Sequence, residues 1–225
     1  MKISEDTMSI LKNYSSINTS LVIFPGSEIK TVAPGLEILA SSKVSETFDE
    51  KVCIFDLPQF LGACSTLKNP EFDFKSDHVV ISSGKSRIKY RYAAEELMAT
   101  LETNIKRNLK NLNFEYSFEL TPDNIADINK ARNALKVANL TICSADDRIV
   151  MRVHDKDDSS SNVYEIDLGT NDLGKDFKFN FDIVNSLKIV PGNYIVELNP
   201  KVARFTHKDL DIVYHISVQS DSYWK

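Results

Sequence analysis

Apolar positions along the chain follow two periods, helical and alternating, and these succeed each other in the same order twice. Behind Ser4, the residues Met8, Leu11 and Tyr14 recur at helical spacing. Glu5 and Asp6 fall in the first turn of this helix, where the dipole favours acids. Short runs then predict strands at 21–24, 28–32, 37–40 and 52–55, divided by turns at Pro25-Gly26 and Pro34-Gly35. Asp56 and Pro58 open a short helix with Phe60 and Leu61 on its apolar face. Strands follow at 71–74, 78–82 and 86–92. Residues 93–112 are charged and lack glycine and proline, and predict a linker with partial helical or strand character.

After the linker the order begins again. A strand at 114–120 leads to a helix opened by Thr121, Pro122 and Asp123. A hairpin turns at Asp146-Asp147 between 140–142 and 148–153. Strands at 163–168 and 177–181 precede a short helix from Asp182 through Leu187. The last strands are 194–198, 202–205 and 211–218. Landmarks align across the halves: Asp6 with Asp123, Leu21 and Ile23 with Leu140 and Ile142, and Phe55-Asp56-Leu57 with Phe181-Asp182-Ile183. We read a duplicated α+β unit, with a first domain over 1–107, a linker about 93–112 and a second domain over 113–225. Two helices and a majority of strands per unit suit one helical layer on one face of antiparallel sheet.

Composition narrows the class. With 225 residues and 42% hydrophobic content, the chain can bury a sizeable core. No run approaches the ~18 apolar residues of a membrane helix, so no membrane partner is expected. The start, Met1 to Asp6, turns polar at once and has no signal-peptide core. Cys53, Cys64 and Cys143 are odd in number and far apart, which suits reduced, buried thiols. Net charge is −5, and the deficit lies beyond residue 110. A nucleic-acid-binding reading therefore requires basic residues segregated onto one face.

The helices offer such a face. On a wheel of residues 121–136, Ile125, Ile128, Ala131 and Leu135 form the apolar side. Asn129, Lys130, Asn133 and Lys136 lie opposite, and Arg132 snorkels from between. Bases and amides suit phosphate contact without base readout. Acids early and bases late also satisfy the helix dipole, at about 0.3–1 kcal/mol each, without any DNA.

Catalytic chemistry is harder to place. There is no glycine-rich phosphate loop and no cysteine or histidine spacing for a metal, so no cofactor and no metal are expected. His78, His154, His207 and His215 fall in or beside strands. Asp155, Asp157 and Asp158 lack the glycine and distal glutamate of a calcium loop. Nothing assembles a nucleophile, a base and an oxyanion donor.

Several stretches resemble the sliding clamps of T-even-like bacteriophages. At the N-terminus these are Met1-Lys2-Ile3-Ser4, Asp6-Thr7, Ile10 to Tyr14 and Ile17-Asn18. Further on they are Asp56-Leu57 with Phe60-Leu61, Phe177 to Phe181, Lys188-Ile189 and Pro191-Gly192-Asn193-Tyr194. The resemblance implies two clamp-type domains per subunit and a homotrimeric ring with helices lining the hole. It implies a non-catalytic processivity factor that encircles double-stranded DNA and tethers the replicative DNA polymerase. An ATP-driven clamp loader would place it, and late transcription factors would contact it, in the cytoplasm of an infected bacterial host cell. Carried onto this chain, the DNA-facing residues are Lys12, Lys68, Lys130, Arg132, Lys136 and Lys188, with Glu5 standing where lysine is usual. A partner pocket near the domain junction would draw on Leu109 and Leu112. The linker departs from the family in lacking proline, and the Tyr223-Trp224 tail departs as well.

Two other readings stay open. One is an adaptor of the same fold without DNA binding. The other is a duplicated enzyme whose site gathers some of His78, His154, Asp155 and His207.

Overall fold

The structure, a computed structural model, describes residues 1–105, 112–183 and 187–225. The chain divides into two compact units, residues 1–109 with 211–213, and residues 110–210 with 214–225.

In the first unit α1 (Glu5–Ile17) leads to β1 (Leu21–Ile23), β2 (Gly26–Val32), β3 (Ile38–Phe48) and β4 (Val52–Ile54). Then come α2 (Leu57–Ser65), β5 (Glu71–Phe74), β6 (His78–Ser83) and β7 (Ser86–Arg91). The strands lie in the orders β4-β1-β2-β3 and β5-β6-β7, with antiparallel pairings. Ser4 caps α1 by accepting from the Thr7 amide, and Asp56 caps α2 by accepting from Gln59. Helix α1 buries Thr7, Ile10, Leu11, Tyr14 and Ile17. Its Tyr14 hydroxyl meets the Ser42 hydroxyl on β3 at 2.5 Å. Helix α2 reaches the other sheet through Phe60, which meets Tyr90 of β7 edge to face at 5.1 Å.

Strand β3 runs well past the predicted 37–40. Its buried side alternates Ile38, Ala40, Ser42, Val44, Glu46 and Phe48. Ser42 and Glu46 disguise the period, because both are polar and both are buried. Glu46 is held there by the helix start: it accepts from the Ser4 amide at 2.5 Å and from the Thr7 hydroxyl at 2.6 Å.

The predicted linker is packed down over its first part. A 3₁₀ turn (Glu95–Met98) and α3 (Ala99–Ile105) follow Ala93, whose amide bonds the Cys53 carbonyl on β4. Met98 and Leu101 join Val22, Val32 and Cys53 in one buried cluster. Lys51 bonds Glu95 at 2.8 Å and Glu102 at 2.6 Å. This segment covers the outer side of the β4-β1-β2-β3 sheet, since the Val22 side chain points opposite to its strand neighbours.

The second unit repeats the plan. It has β8 (Tyr116–Leu120), α4 (Pro122–Leu135), β9 (Asn139–Ala145), β10 (Arg148–His154), β11 (Tyr164–Thr170) and β12 (Phe177–Asp182). Then come β13 (Tyr194–Leu198), β14 (Val202–His207), β15 (Ile212–Ser217) and β16 (Tyr223–Trp224). The order β11-β10-β9-β12 mirrors β3-β2-β1-β4, and β13, β14 and β15 follow each other as β5, β6 and β7 do. Thr121 and Asn124 close a capping box at the start of α4. The predicted helix from Asp182 through Leu187 spans 184–186, which lie outside the described residues.

Aromatic rings join the sheets of this unit. Tyr116 on β8 meets Phe177 on β12 at 5.9 Å, and Tyr194 meets Tyr214 at 6.2 Å. The tail is not an exposed appendage. Strand β16 pairs with β12, and Trp224 stacks on Phe177 at 5.0 Å.

Candidate nucleic-acid interface

Each unit exposes one helical face, and the basic residues on it are placed by the apolar residues opposite. In α1, burial of Leu11 and Tyr14 turns Lys12 outward. Lys12 lines a groove of about 630 Å³ between α1, α2 and the start of β5. Met8, Leu61 and Phe72 form its floor, and Lys2 and Glu5 share its rim with Lys12. Lys68, just beyond α2, is exposed between Leu67 and Asn69 of the same groove. Lys2 was missed in the sequence because it precedes the helix. It sits beside the groove because the Met1 carbonyl accepts from the Phe72 amide and ties the N-terminus to β5.

In α4, Ile128 and Ala131 are buried and Ile125 and Leu135 half-buried, as the wheel requires. Lys130 extends into solvent with 77% of its side chain exposed and bonds Asp127 at 3.0 Å. Arg132 is half-buried, as expected of a snorkelling side chain. Lys136 ends the helix in the left-handed conformation, with φ +55°. Lys130, Arg132 and Lys136 thus stand on one short stretch of helix. Lys188 is half-buried, next to the buried Ile189 and Val190.

The same faces carry acids. Glu5, Asp6 and Asp123 occupy first turns and Asp56 caps α2. Positive charge is therefore concentrated toward the C-terminal ends of the helices. Isolated bases in that arrangement attract a phosphate backbone through diffuse contacts and read no sequence.

Other sequence candidates are dispersed. His78 bonds its neighbour Asp77, and His154 meets the Thr141 hydroxyl at 2.8 Å. His207 is buried, with Nδ1 accepting from the amides of Asp209 and Leu210. Burial, with Arg204 nearby, pushes the His215 pKa down to about 4. The three cysteines are buried, and burial raises each thiol pKa. No group of three or more metal-binding side chains occurs among the described residues. Nor is any described helix long and apolar enough to cross a membrane. Of the expected partner pocket, Leu109 lies outside the described residues and Leu112 is half-buried. A different apolar groove, about 490 Å³, lies in the first unit: Phe55, Tyr90 and Leu97 line it beside Lys89 and Arg91.

Helices on one face of antiparallel sheets, given twice in one chain, define the DNA-clamp class of fold. The proliferating cell nuclear antigen of Entamoeba histolytica superposes with a TM-score of 0.67 at 13% identity, covering 95% of this chain and 94% of that one. The Helicobacter pylori beta clamp, solved with a DNA ligase peptide, superposes with a TM-score of 0.65 at 13% identity, covering 99% and 68%. Within that class the sequence is more specific. The family model described as gp45 sliding clamp, C terminal, matches residues 117–219. The sliding clamp of Vibrio phage KVP40 is 27% identical over 224 residues, covering 98% of this chain and all of the relative. That of Enterobacteria phage T4 is 25% identical, covering 99% and 98%. End to end, then, the chain takes its place among the sliding clamps of T4-like phages.

Proposed function

We propose that this protein closes a ring around duplex DNA and holds the replicative DNA polymerase there, taking no part in the chemistry itself. The observation that carries this reading is the end-to-end match to phage sliding clamps. The exposed bases of the helical layers support it. Lys12, Lys68, Lys130, Arg132, Lys136 and Lys188, with Lys2 added, are the residues assigned to the phosphate backbone. Contacts of this kind hold DNA without fixing a position on it, which permits sliding.

The ring is a homotrimer in this proposal, and two strand edges support it. Among the described pairings β7 is bonded only to β6, and β11 only to β10. Open edges of this kind invite pairing with another chain. Strand β7 presents Arg87, Lys89 and Arg91. Strand β11 presents Glu165 and Asp167, behind a loop carrying Asp155, Asp157 and Asp158. A basic edge meeting an acidic edge on the next copy gives a head-to-tail contact, which closes a ring when the rotation fits. The exposed Phe55 and Leu97 stand beside the basic edge. An ATP-driven loader would open this contact, and late transcription factors would share the ring with the polymerase.

Light scattering at micromolar concentration tests the assembly, and three times the 25.4 kDa chain mass is expected. Primer extension on circular DNA with polymerase and loader tests the function. A monomer, or extension lengths unchanged by the protein, would refute it.

A further inference from the structure

The same sheet edge is closed differently in the two units. In the first, the outer edge of β4 is met by the Ala93 amide, and the chain runs on into α3, anchored by Lys51, Met98 and Leu101. In the second, the corresponding edge is that of β12, and its cover is the end of the chain. Phe177 pairs with Trp224 and Lys178 with Tyr223, and the Lys225 amide bonds the Asp176 carbonyl at 2.9 Å. Nothing follows Lys225 to hold this strand down.

We propose that Tyr223–Lys225 is an exchangeable edge strand, and that the slot it fills on β12 accepts an extended, aromatic-bearing peptide segment of a partner protein. The tail itself shows what chemistry the slot takes. Backbone pairing to β12 supplies sequence-independent affinity, as in strand addition to sheet edges. Trp224 lies 5.0 Å from Phe177 and 6.0 Å from Phe179, ring to ring, so the slot selects an aromatic at that position. Tyr223 lies under Lys178, with its hydroxyl donating to the Asp176 carboxylate.

The cover is marginal by construction. Only two residues pair, and both side chains stay half-exposed. Chain ends with so few contacts open at a small fraction of the global unfolding free energy. The cover has a fixed root. Asp221 bonds Lys156 at 3.0 Å, and the Ser222 hydroxyl accepts from the Asn180 amide at 2.9 Å. The last three residues can therefore swing out while the segment before them keeps its place. A partner segment then competes with a tethered one, so its apparent affinity is lowered by the tail and restored by removing it. This slot is separate from the helical faces assigned to DNA, so the DNA reading and this one can fail independently.

The test uses the full chain and a chain lacking residues 223–225. The probes are a labelled peptide of residues 218–225, its Trp224→Ala form, and a peptide with Phe at both aromatic positions. Fluorescence anisotropy should show both aromatic peptides binding the shortened chain at least 10-fold more tightly than the full chain. The alanine peptide should bind the shortened chain at least 10-fold more weakly than the aromatic ones. A shortened chain that keeps its circular dichroism but binds none of them would overturn the proposal. Hydrogen exchange on the full chain decides the matter if the shortened chain does not fold. The amides of Tyr223–Lys225 should exchange at least 100-fold faster than those bonding β12 to β9, and equal protection would show a permanent strand.

Discussion

Gly192 and His207 occupy space that no other pair of residues could share: a β-carbon on Gly192 would lie 2.0 Å from His207 Nε2. The imidazole is buried and spans two loops. Its Nε2 faces the Pro191 carbonyl at 3.4 Å, and its Nδ1 accepts from the Asp209 and Leu210 amides at 3.0 Å. Tyr194 stands edge-on to it at 4.9 Å. The Pro191-Gly192-Asn193-Tyr194 stretch is thus a fitted seat for a histidine at the end of β14. Gly192→Ala should cost about 1–3 kcal/mol through overpacking. His207→Ala should relieve part of that cost, so the double variant should be less unstable than the two singles added. Urea denaturation of the four proteins checks it, and strict additivity would deny the contact.

Glu46 is the second polar residue whose place is set from far away in sequence. Burial raises its pKa, but the hydrogen bonds from Thr7 and Ser4 outweigh that and hold it below the ordinary carboxylate value. A carboxyl with a depressed folded pKa adds stability above its unfolded pKa and loses it as pH falls through the folded value. Glu46→Gln should therefore destabilise by about 1–3 kcal/mol at neutral pH and by less in acid. Thermal melts of both proteins from pH 7 to pH 3 should converge.

His215 runs in the opposite sense. Its folded pKa of about 4 lies below the ordinary histidine value because burial, followed by Arg204, disfavours the charge. Unfolded chains bind that proton first, so stability should fall as pH drops from about 6.5 to about 4. The loss attributable to this residue should be on the order of 1–2 kcal/mol once solvent screening is allowed for. His215→Phe should flatten that part of the stability–pH curve.

Lys136 separates stability from DNA retention. It ends α4 at φ +55°, where glycine is unstrained. Lys136→Gly should stabilise by about 0.5–1 kcal/mol. It should also lower the salt dependence of DNA retention by a slope of about 1, as expected for one lost phosphate contact. Reversing Lys130, Arg132 and Lys136 together should shorten polymerase products with circular dichroism unchanged. Full processivity in that variant would remove α4 from the interface.

Lys51 ties the connecting segment to the first unit through Glu95 and Glu102. Lys51→Met leaves two carboxylates beside an apolar cluster without their cation. Limited proteolysis within 93–105 should accelerate several-fold, while cleavage elsewhere stays unchanged.

Much of the fold could be read before any coordinates. Helix starts were legible at Ser4, Asp56 and Thr121, because a cap is a contact between residues three apart. The strand at 194–198 was legible because its buried positions, Tyr194, Val196 and Leu198, are all apolar. The later half of β3 was not, because Ser42 and Glu46 occupy buried positions whose partners, Tyr14 and Ser4 with Thr7, come from α1.

The candidate interface divides in the same way. The sequence by itself determined that Lys130 and Lys136 oppose Ile128, since a helix carries its own periodicity. Only the tertiary structure decided that Lys2 joins Lys12 at one groove, that Met98 and Leu101 pack onto Val22, and that Trp224 closes the edge of β12. The reason is range. Periodicity and caps act over a turn or two of chain, whereas these three placements depend on surfaces made by residues distant in sequence, which exist only once the sheets have formed.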